Sequence, residues 1–231
     1  RLGQEHLGIV VNEAGRPAIH LHDGEMVTAD MLLYTMGRIG NTDALNLPAI
    51  GLSTDQQGQH SVNSQYQTAI PHIYATGDVI GFPALAATAM EQGRLAACHA
   101  FQVSESHDIK VIPYGIYSIP EVSMVGKTEE ELAADGVPHV TGRAFFREMA
   151  RGHISGELHG LLKVAFHRDT HTLLGVHIIG QGATELIHIG QSVLTYGGTV
   201  EYFVHNVFNY PTMAECYRTA ALDGLNRLHR Q

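Results

Sequence analysis

The residue with the clearest capacity for chemistry is Asp78, which closes the run Ile73-Tyr74-Ala75-Thr76-Gly77-Asp78. An ionised carboxylate is a strong hydrogen-bond acceptor, and the glycine before it lets a backbone come close. A short apolar strand ending in a carboxylate, then a loop, then a helix rich in small residues over 84–101, describes a ligand crevice in an open α/β sheet. Taken alone, Thr-Gly-Asp is more often an ordinary turn. The start of that helix, around Ala84, Leu85 and Ala86, presents free backbone N–H groups and a positive dipole end, although an alanine-rich packing helix has the same composition. Upstream, Gly37-Arg38-Ile39-Gly40-Asn41-Thr42 is a loop whose glycines either bring the backbone to a ligand or simply turn it, and the turn is the stronger reading in isolation. Near the C-terminus, Phe208-Asn209-Tyr210-Pro211-Thr212-Met213-Ala214-Glu215 carries a phenol and a carboxylate through a proline into the last helix.

Other chemistries find little support. The 16 histidines of this 231-residue chain include His20 and His22 at strand spacing, but no third ligand clusters with any pair, so no metal is expected. The two cysteines, Cys98 and Cys216, are far apart and form neither a CxxC pair nor a zinc knuckle, which fits a reduced, cytoplasmic setting. With 23 acidic against 14 basic residues the net charge is −9, and no basic cluster stands ready to neutralise phosphates, so nucleic acid is not an expected partner. No apolar run is long enough to span a bilayer. The chain opens Arg1-Leu2-Gly3-Gln4, which reads as a start in mid-protein.

The elements that position these residues fall into two styles. Residues 7–11 and 18–21 read as a hairpin around a polar, glycine-containing turn, with a second turn at Asp23-Gly24. The continuous apolar run 31–36 predicts a strand buried on both faces, 61–68 an exposed strand, and 73–75 a short apolar strand before Asp78. A polar stretch at 104–110 marks a boundary. Beyond it the pattern becomes one of grouped strands and helices, which predicts a separate α+β domain. Strands are expected at 112–119, 140–146, 161–167 and 173–179, and helices at 183–196, around 200–205 and at 212–228. Thr128 with Glu131 predicts a capping box.

Several of these runs occur in the order of a known family: Met36 to Thr42, Ile73 to Asp78, Ile116-Tyr117-Ser118-Ile119-Pro120-Glu121-Val122 with Val125-Gly126, Leu174-Gly175-Val176-His177-Ile178-Ile179-Gly180, and Pro211-Thr212 with Glu215. Together they resemble the flavin-dependent pyridine nucleotide–disulfide oxidoreductases, whose members include lipoamide dehydrogenase and glutathione reductase. The likeness covers nearly the whole chain, yet G-x-G-x-x-G, the dinucleotide fingerprint, is absent. The resemblance therefore implies the C-terminal part of a two-dinucleotide-domain flavoprotein, α/β plus α+β. Residues 1–42 end the nicotinamide-nucleotide domain, 43–106 form the returning segment of the FAD domain, and 107–231 form an α+β dimerisation domain with an antiparallel sheet.

The resemblance also assigns roles. Asp78 is expected to accept a hydrogen bond from the ribityl chain of FAD, the helix start at Leu85 and Ala86 to face the charge of reduced flavin, and Gly37 to border the nicotinamide nucleotide. A homodimer or higher homo-oligomer is expected through 107–231, with part of the stripe Ala183, Thr184, Leu186, Ile187, Gly190 and Val193 facing the partner subunit. In the family's disulfide reductases a histidine at the position of Tyr210, oriented by the glutamate at Glu215, shuttles thiol protons. A phenol ionises only near pH 10, so Tyr210 is poorly matched to that work. Hydride transfer between nicotinamide and flavin needs no thiol base. The tail thus points to the branch that moves hydride from NADPH to NAD, with both nucleotides as substrates, in ping-pong order at one flavin, and with an isolated fragment expected to be inactive. A disulfide reductase of the same family and a purely dimerising module are the alternatives.

Overall fold

The computed structural model describes residues 3–104 and 109–230. The chain divides into two units, 1–105 and 106–231; part of the boundary stretch expected at 104–110 lies outside the described residues.

The first unit opens with a three-stranded antiparallel sheet of β1 (His6–Val11), β2 (Pro17–Leu21) and β3 (Met26–Thr28), in that order. The first hairpin closes as its sequence predicts, because the Asn12 carboxamide oxygen accepts from Ala14 N at 3.1 Å and Arg16 N at 2.9 Å. At the second, Asp23 Oδ1 accepts from Glu25 N at 2.9 Å. Helix α1 (Ala86–Ala100) is the unit's one α-helix among the described residues and packs against the 3₁₀ turn Gly77–Ile80.

Three expected strands are absent. Residues 31–36 form no ladder, and their side chains are open, Met31 and Leu33 each being 87% exposed. A strand buried on both faces needs a hydrogen-bonded neighbour on each side, and none of the described residues pairs with this run. At 61–68 the Asn63 side chain accepts from Gln65 N and Gln67 N, both at 2.9 Å, and curls the backbone into a turn instead of a strand. Residues 73–75 keep only an isolated bridge, Tyr74 to Gln67.

The second unit holds β4 (Tyr114–Ile116), β5 (Val122–Gly126), α2 (Glu129–Ala134), β6 (His139–Phe145), α3 (Ala150–Ser155), β7 (Leu161–His167), β8 (Leu173–Ile179), α4 (Ala183–Thr195), α5 (Glu201–His205) and α6 (Glu215–Leu228). Its strands form one antiparallel sheet in the order β4-β5-β8-β7-β6, giving the α+β unit expected of this half. The Thr128 capping box is present in both directions, Glu131 N donating to Thr128 Oγ1 at 3.1 Å and Thr128 N to Glu131 Oε2 at 2.8 Å. One face of the sheet carries Val125, Val140, Ala144, Leu162, Val164, Phe166, Val176 and Ile178, all buried, and α4 and α6 pack on it. Helix α6 begins at Glu215 and not at residue 212, because Pro211 and Thr212 belong to the loop that delivers it.

The contact of α6 with β6 is made at backbone distance. A Cβ built on Gly142 would overlap the carbonyl oxygen of Ala220 and stand 2.6 Å from Gly224 N. Neither neighbour is a flexible side-chain end, so the helix itself would have to move. Gly142→Ala is therefore expected to destabilise the protein by about 1–3 kcal/mol or more, as overpacking of a filled core does. A thermal unfolding midpoint unchanged within about 1 °C would show that α6 is not held this tightly.

Candidate functional site

Two of the residues singled out in the sequence meet in the first unit. Asp78 and Gly37 line one open groove of about 920 Å3, together with Arg38, Gln57, Gln59 and Phe82. Asp78 is delivered by the 3₁₀ turn Gly77–Ile80, and the turn is fixed from α1: the buried Gln92 side chain accepts from Gly77 N at 2.7 Å. Gly77 has φ +76°, and a Cβ there would stand 3.1 Å from Ala89 Cβ, so helix and turn approach only because both residues are small. Ala89 of α1 thus serves the placement of the carboxylate.

Arg38 Nε lies 3.3 Å from Asp78 Oδ2, with the two side chains 80% and 42% exposed. An ion pair this open contributes about 0–1 kcal/mol, so a ligand hydroxyl can compete for the carboxylate. Gly37, with φ +82°, has no atom within 4 Å of where its Cβ would be, which leaves the groove wall open there. Gly40 does the other thing a glycine can do: its N–H donates to Gln57 O at 2.7 Å and its backbone packs on Gly58. The loop 37–42 is therefore a turn anchored at one glycine and open to the groove at the other.

Leu85 and Ala86 do not line the groove, but Ala84 beside them does. Leu85 is the N-cap of α1 and no side chain caps the helix. Thr88 Oγ1 instead donates to Pro83 O and Leu85 O at 2.7 and 2.9 Å, which ties the loop to the helix start. The first-turn amides have no preceding carbonyl in the helix, so they are donors for an outside acceptor.

Tyr210 and Glu215 belong to the second unit. Tyr210 is 74% exposed and precedes a cis proline, Pro211. Glu215 Oε2 accepts from Thr212 N at 3.3 Å, and Thr212 Oγ1 donates to Asn209 O at 2.7 Å. The carboxylate therefore holds the loop that presents the phenol. Cys216, next in sequence, is buried, and burial with the nearby carboxylates of Glu148 and Glu215 pushes its thiol up to about 12, where no reactive thiolate exists at neutral pH. Among the described residues no group of histidine, cysteine or carboxylate side chains could hold a metal ion, and no helix is long and apolar enough to cross a membrane.

Comparison with known proteins bears on this geometry. Residues 4–93 match the family model for pyridine nucleotide-disulphide oxidoreductases, and residues 112–221 match the model for that family's dimerisation domain. The chain belongs to the pyridine nucleotide-disulphide oxidoreductases. Among curated members of the family it is 55% identical over 214 residues to a soluble pyridine nucleotide transhydrogenase of Vibrio atlanticus, covering 91% of this chain and 46% of the relative. It is 56% identical over 214 residues to another from Klebsiella pneumoniae, with the same coverage. The chain thus spans about half the length of the curated relatives it matches. Among solved structures, LpdA from Mycobacterium tuberculosis superposes with a TM-score of 0.80 at 27% identity over 95% of this chain and 48% of that one. The HOCl-induced flavoprotein disulfide reductase RclA from Escherichia coli, at 23% identity, shares the fold with a TM-score of 0.83 over 93% of this chain and 49% of its own.

The sequence did not reveal the lining roles of Gln57, Gln59 and Phe82, nor the buried acceptor Gln92. Polar residues in a loop carry no periodic signal, and Gln92 sits in a helix whose pattern is dominated by alanine. Replacing Gln92 by leucine keeps the bulk but leaves Gly77 N–H buried without an acceptor, at a cost of about 1–3 kcal/mol. The expected outcome is a lower unfolding midpoint together with weaker ligand retention in the groove, measured in the full-length protein; loss of neither would mean that the turn is held by other contacts.

Proposed function

We propose that this chain is part of a flavin-dependent oxidoreductase that passes hydride between nicotinamide nucleotides, from NADPH to NAD and in reverse, in the cytoplasm. The observation that carries the reading is the 55% identity over 91% of the chain to soluble pyridine nucleotide transhydrogenases, with Tyr210 standing where a thiol-handling reductase needs a base. On this reading residues 1–42 close the nicotinamide-nucleotide domain, 43–106 return into the FAD domain, and 107–231 pair with a second copy of the chain. The match of residues 112–221 to the dimerisation-domain model supports that last assignment.

The groove suits FAD in its donor set. Asp78 supplies a carboxylate acceptor for a polyol hydroxyl, and Gly37 leaves a wall free of side chain for the nicotinamide nucleotide. Beside the groove wall at Ala84, the uncapped start of α1 supplies amide donors from Ala86 onward for an electron-rich ring edge, the Leu85 amide being already given to Pro83 O at 2.8 Å. When bound, the flavin supplies a two-electron hydride acceptor and donor. The chain's own residues orient and hold. Arg38 yields Asp78 to the ligand, Thr88 keeps the helix start in place, and Glu215 fixes the loop so that Tyr210 lines the site across the subunit interface without moving a proton. Taken alone, these 231 residues are expected not to turn over NADPH, since the chain has no G-x-G-x-x-G to cradle a diphosphate.

Three measurements on the full-length protein test this. Hydride transfer from NADPH to a thio-analogue of NAD should proceed with no disulfide present; failure there, with disulfide reduction instead, would move the protein to the reductases. Asp78→Ala should weaken flavin retention by roughly 10- to 100-fold, the worth of a hydrogen bond to a charged group, and unchanged retention would remove Asp78 from the site. Tyr210→Phe should keep hydride transfer within about threefold of wild type, whereas a loss on the order of 10²–10⁴ would identify the phenol as a general acid or base.

A further inference from the structure

The second unit holds a titratable group that the proposed hydride chemistry leaves unused. On the face of the five-stranded sheet turned away from α4 and α6, one rung crosses four strands: Arg143 on β6 stands opposite Lys163 on β7, Lys163 opposite His177 on β8, and His177 opposite Met124 on β5. Helix α2 reaches this rung through Glu129. Its carboxylate accepts from Lys163 Nζ at 2.7 Å and lies 3.7 Å from an Arg143 nitrogen. His177 has no share in these bonds. Both of its ring nitrogens are buried, and neither has a hydrogen-bond partner among the described residues.

We infer that His177 is an acid-sensitive latch: on taking up a proton it becomes an uncompensated buried cation beside Lys163 and loosens the hold of α2 on the sheet. A neutral imidazole tolerates an apolar rung neighbour such as Met124. An imidazolium carries two N–H donors and a charge, and burial without acceptors makes that form costly. The charged groups that act on it are Lys163, which repels the new charge, and Glu129, Glu130 and Glu131 at the start of α2, which attract it; Arg143 stands one strand beyond Lys163 in the rung. Glu129 is already engaged by Lys163, so a protonated His177 competes for the bond that ties α2 to β7. Opening that contact to water is the way the two ring donors find partners.

The direction with pH follows. Burial first, and the Lys163 ammonium next, hold the His177 pKa below its ordinary 6.5, with the three glutamates opposing. The unfolded chain therefore binds the proton more readily than the folded one. Stability is complete above pH 6.5 and is lost as the pH falls from there through the folded value, by up to about tenfold in the folding constant per pH unit. A histidine with a carboxylate partner would behave in the opposite sense.

The test is amide hydrogen exchange on the full-length protein between pH 7.5 and 5, corrected for intrinsic rates, read at residues 129–135. Wild type should lose protection there by up to about tenfold per pH unit below 6.5, and His177→Met should not. Should His177→Met fail to fold, the Cε1–H chemical shift of His177 in the wild-type protein decides the matter unaided. A midpoint below 6.5 supports the latch, and a midpoint at or above 6.5 overturns it. Equal loss of α2 protection in wild type and His177→Met overturns it as well.

Discussion

Tyr217 enters the interior of the second unit from α6 and joins the two helices that cover the sheet. Its ring is fully buried and stacks on Phe203 with centroids 4.8 Å apart. Its hydroxyl donates to Leu186 O at 2.8 Å and accepts from Gly190 N at 3.1 Å. Those two backbone groups are four residues apart in α4, the pair that an α-helix ladder brings together, so the phenol is set against one rung of the helix. Only glycine permits this, since a Cβ at 190 would stand 3.0 Å from the hydroxyl and 2.7 Å from Val176. Burial raises the Tyr217 pKa far above that of a free phenol, so the hydroxyl remains a donor at any physiological pH. Fixing α4 to α6 also fixes where α6 begins. The loop carrying Tyr210 inherits its position from that start.

The first unit meets the same need by other means. There the backbone group that must be held is Gly77 N, the holder is a carboxamide on α1, and the reason for close approach is again a missing side chain. In both units a buried polar side chain on a helix bonds the backbone of the element that the helix packs against. Such bonds contribute only about 1 kcal/mol each in net terms, but leaving the buried partner unsatisfied costs more, and that asymmetry gives the loops one position.

What could be read from the sequence follows from where the partners lie. Strands β7 and β8 have the residues expected of them, 161–167 and 173–179, because each is the other's neighbour across a short hairpin and alternation alone sets the face. Helix α4 and the Thr128 capping box were legible for the same reason: their determinants lie within a few residues. The run 31–36 has a strand's composition and no strand, since a ladder depends on partners that composition does not reveal. Strand β5 and helix α3 are short, and Ser123 and Gly152 interrupt their patterns. In the groove, Asp78 and Gly37 could be named separately, but the ion pair of Asp78 with Arg38 crosses 40 positions and leaves no local trace. His177 is the extreme case, since alternation gives its face and only the fold shows that both nitrogens lack a partner among the described residues.

The tail separates scaffold from chemistry. Glu215 is engaged by the amide of Thr212, and Thr212 in turn by the carbonyl of Asn209, so the loop's shape is set by groups other than the side chain at 210. Tyr210 itself is mostly exposed, and its exchange for an imidazole would break none of these bonds. A family that keeps the loop and the helix start fixed can therefore change the acid–base group without refolding the site. On the proposed reading, Tyr210 in place of an imidazole leaves thiol chemistry without a shuttle, while hydride transfer, which needs aligned rings and no proton relay to a thiol, remains open. The restriction of function that we propose would then come from one side chain on an unaltered loop.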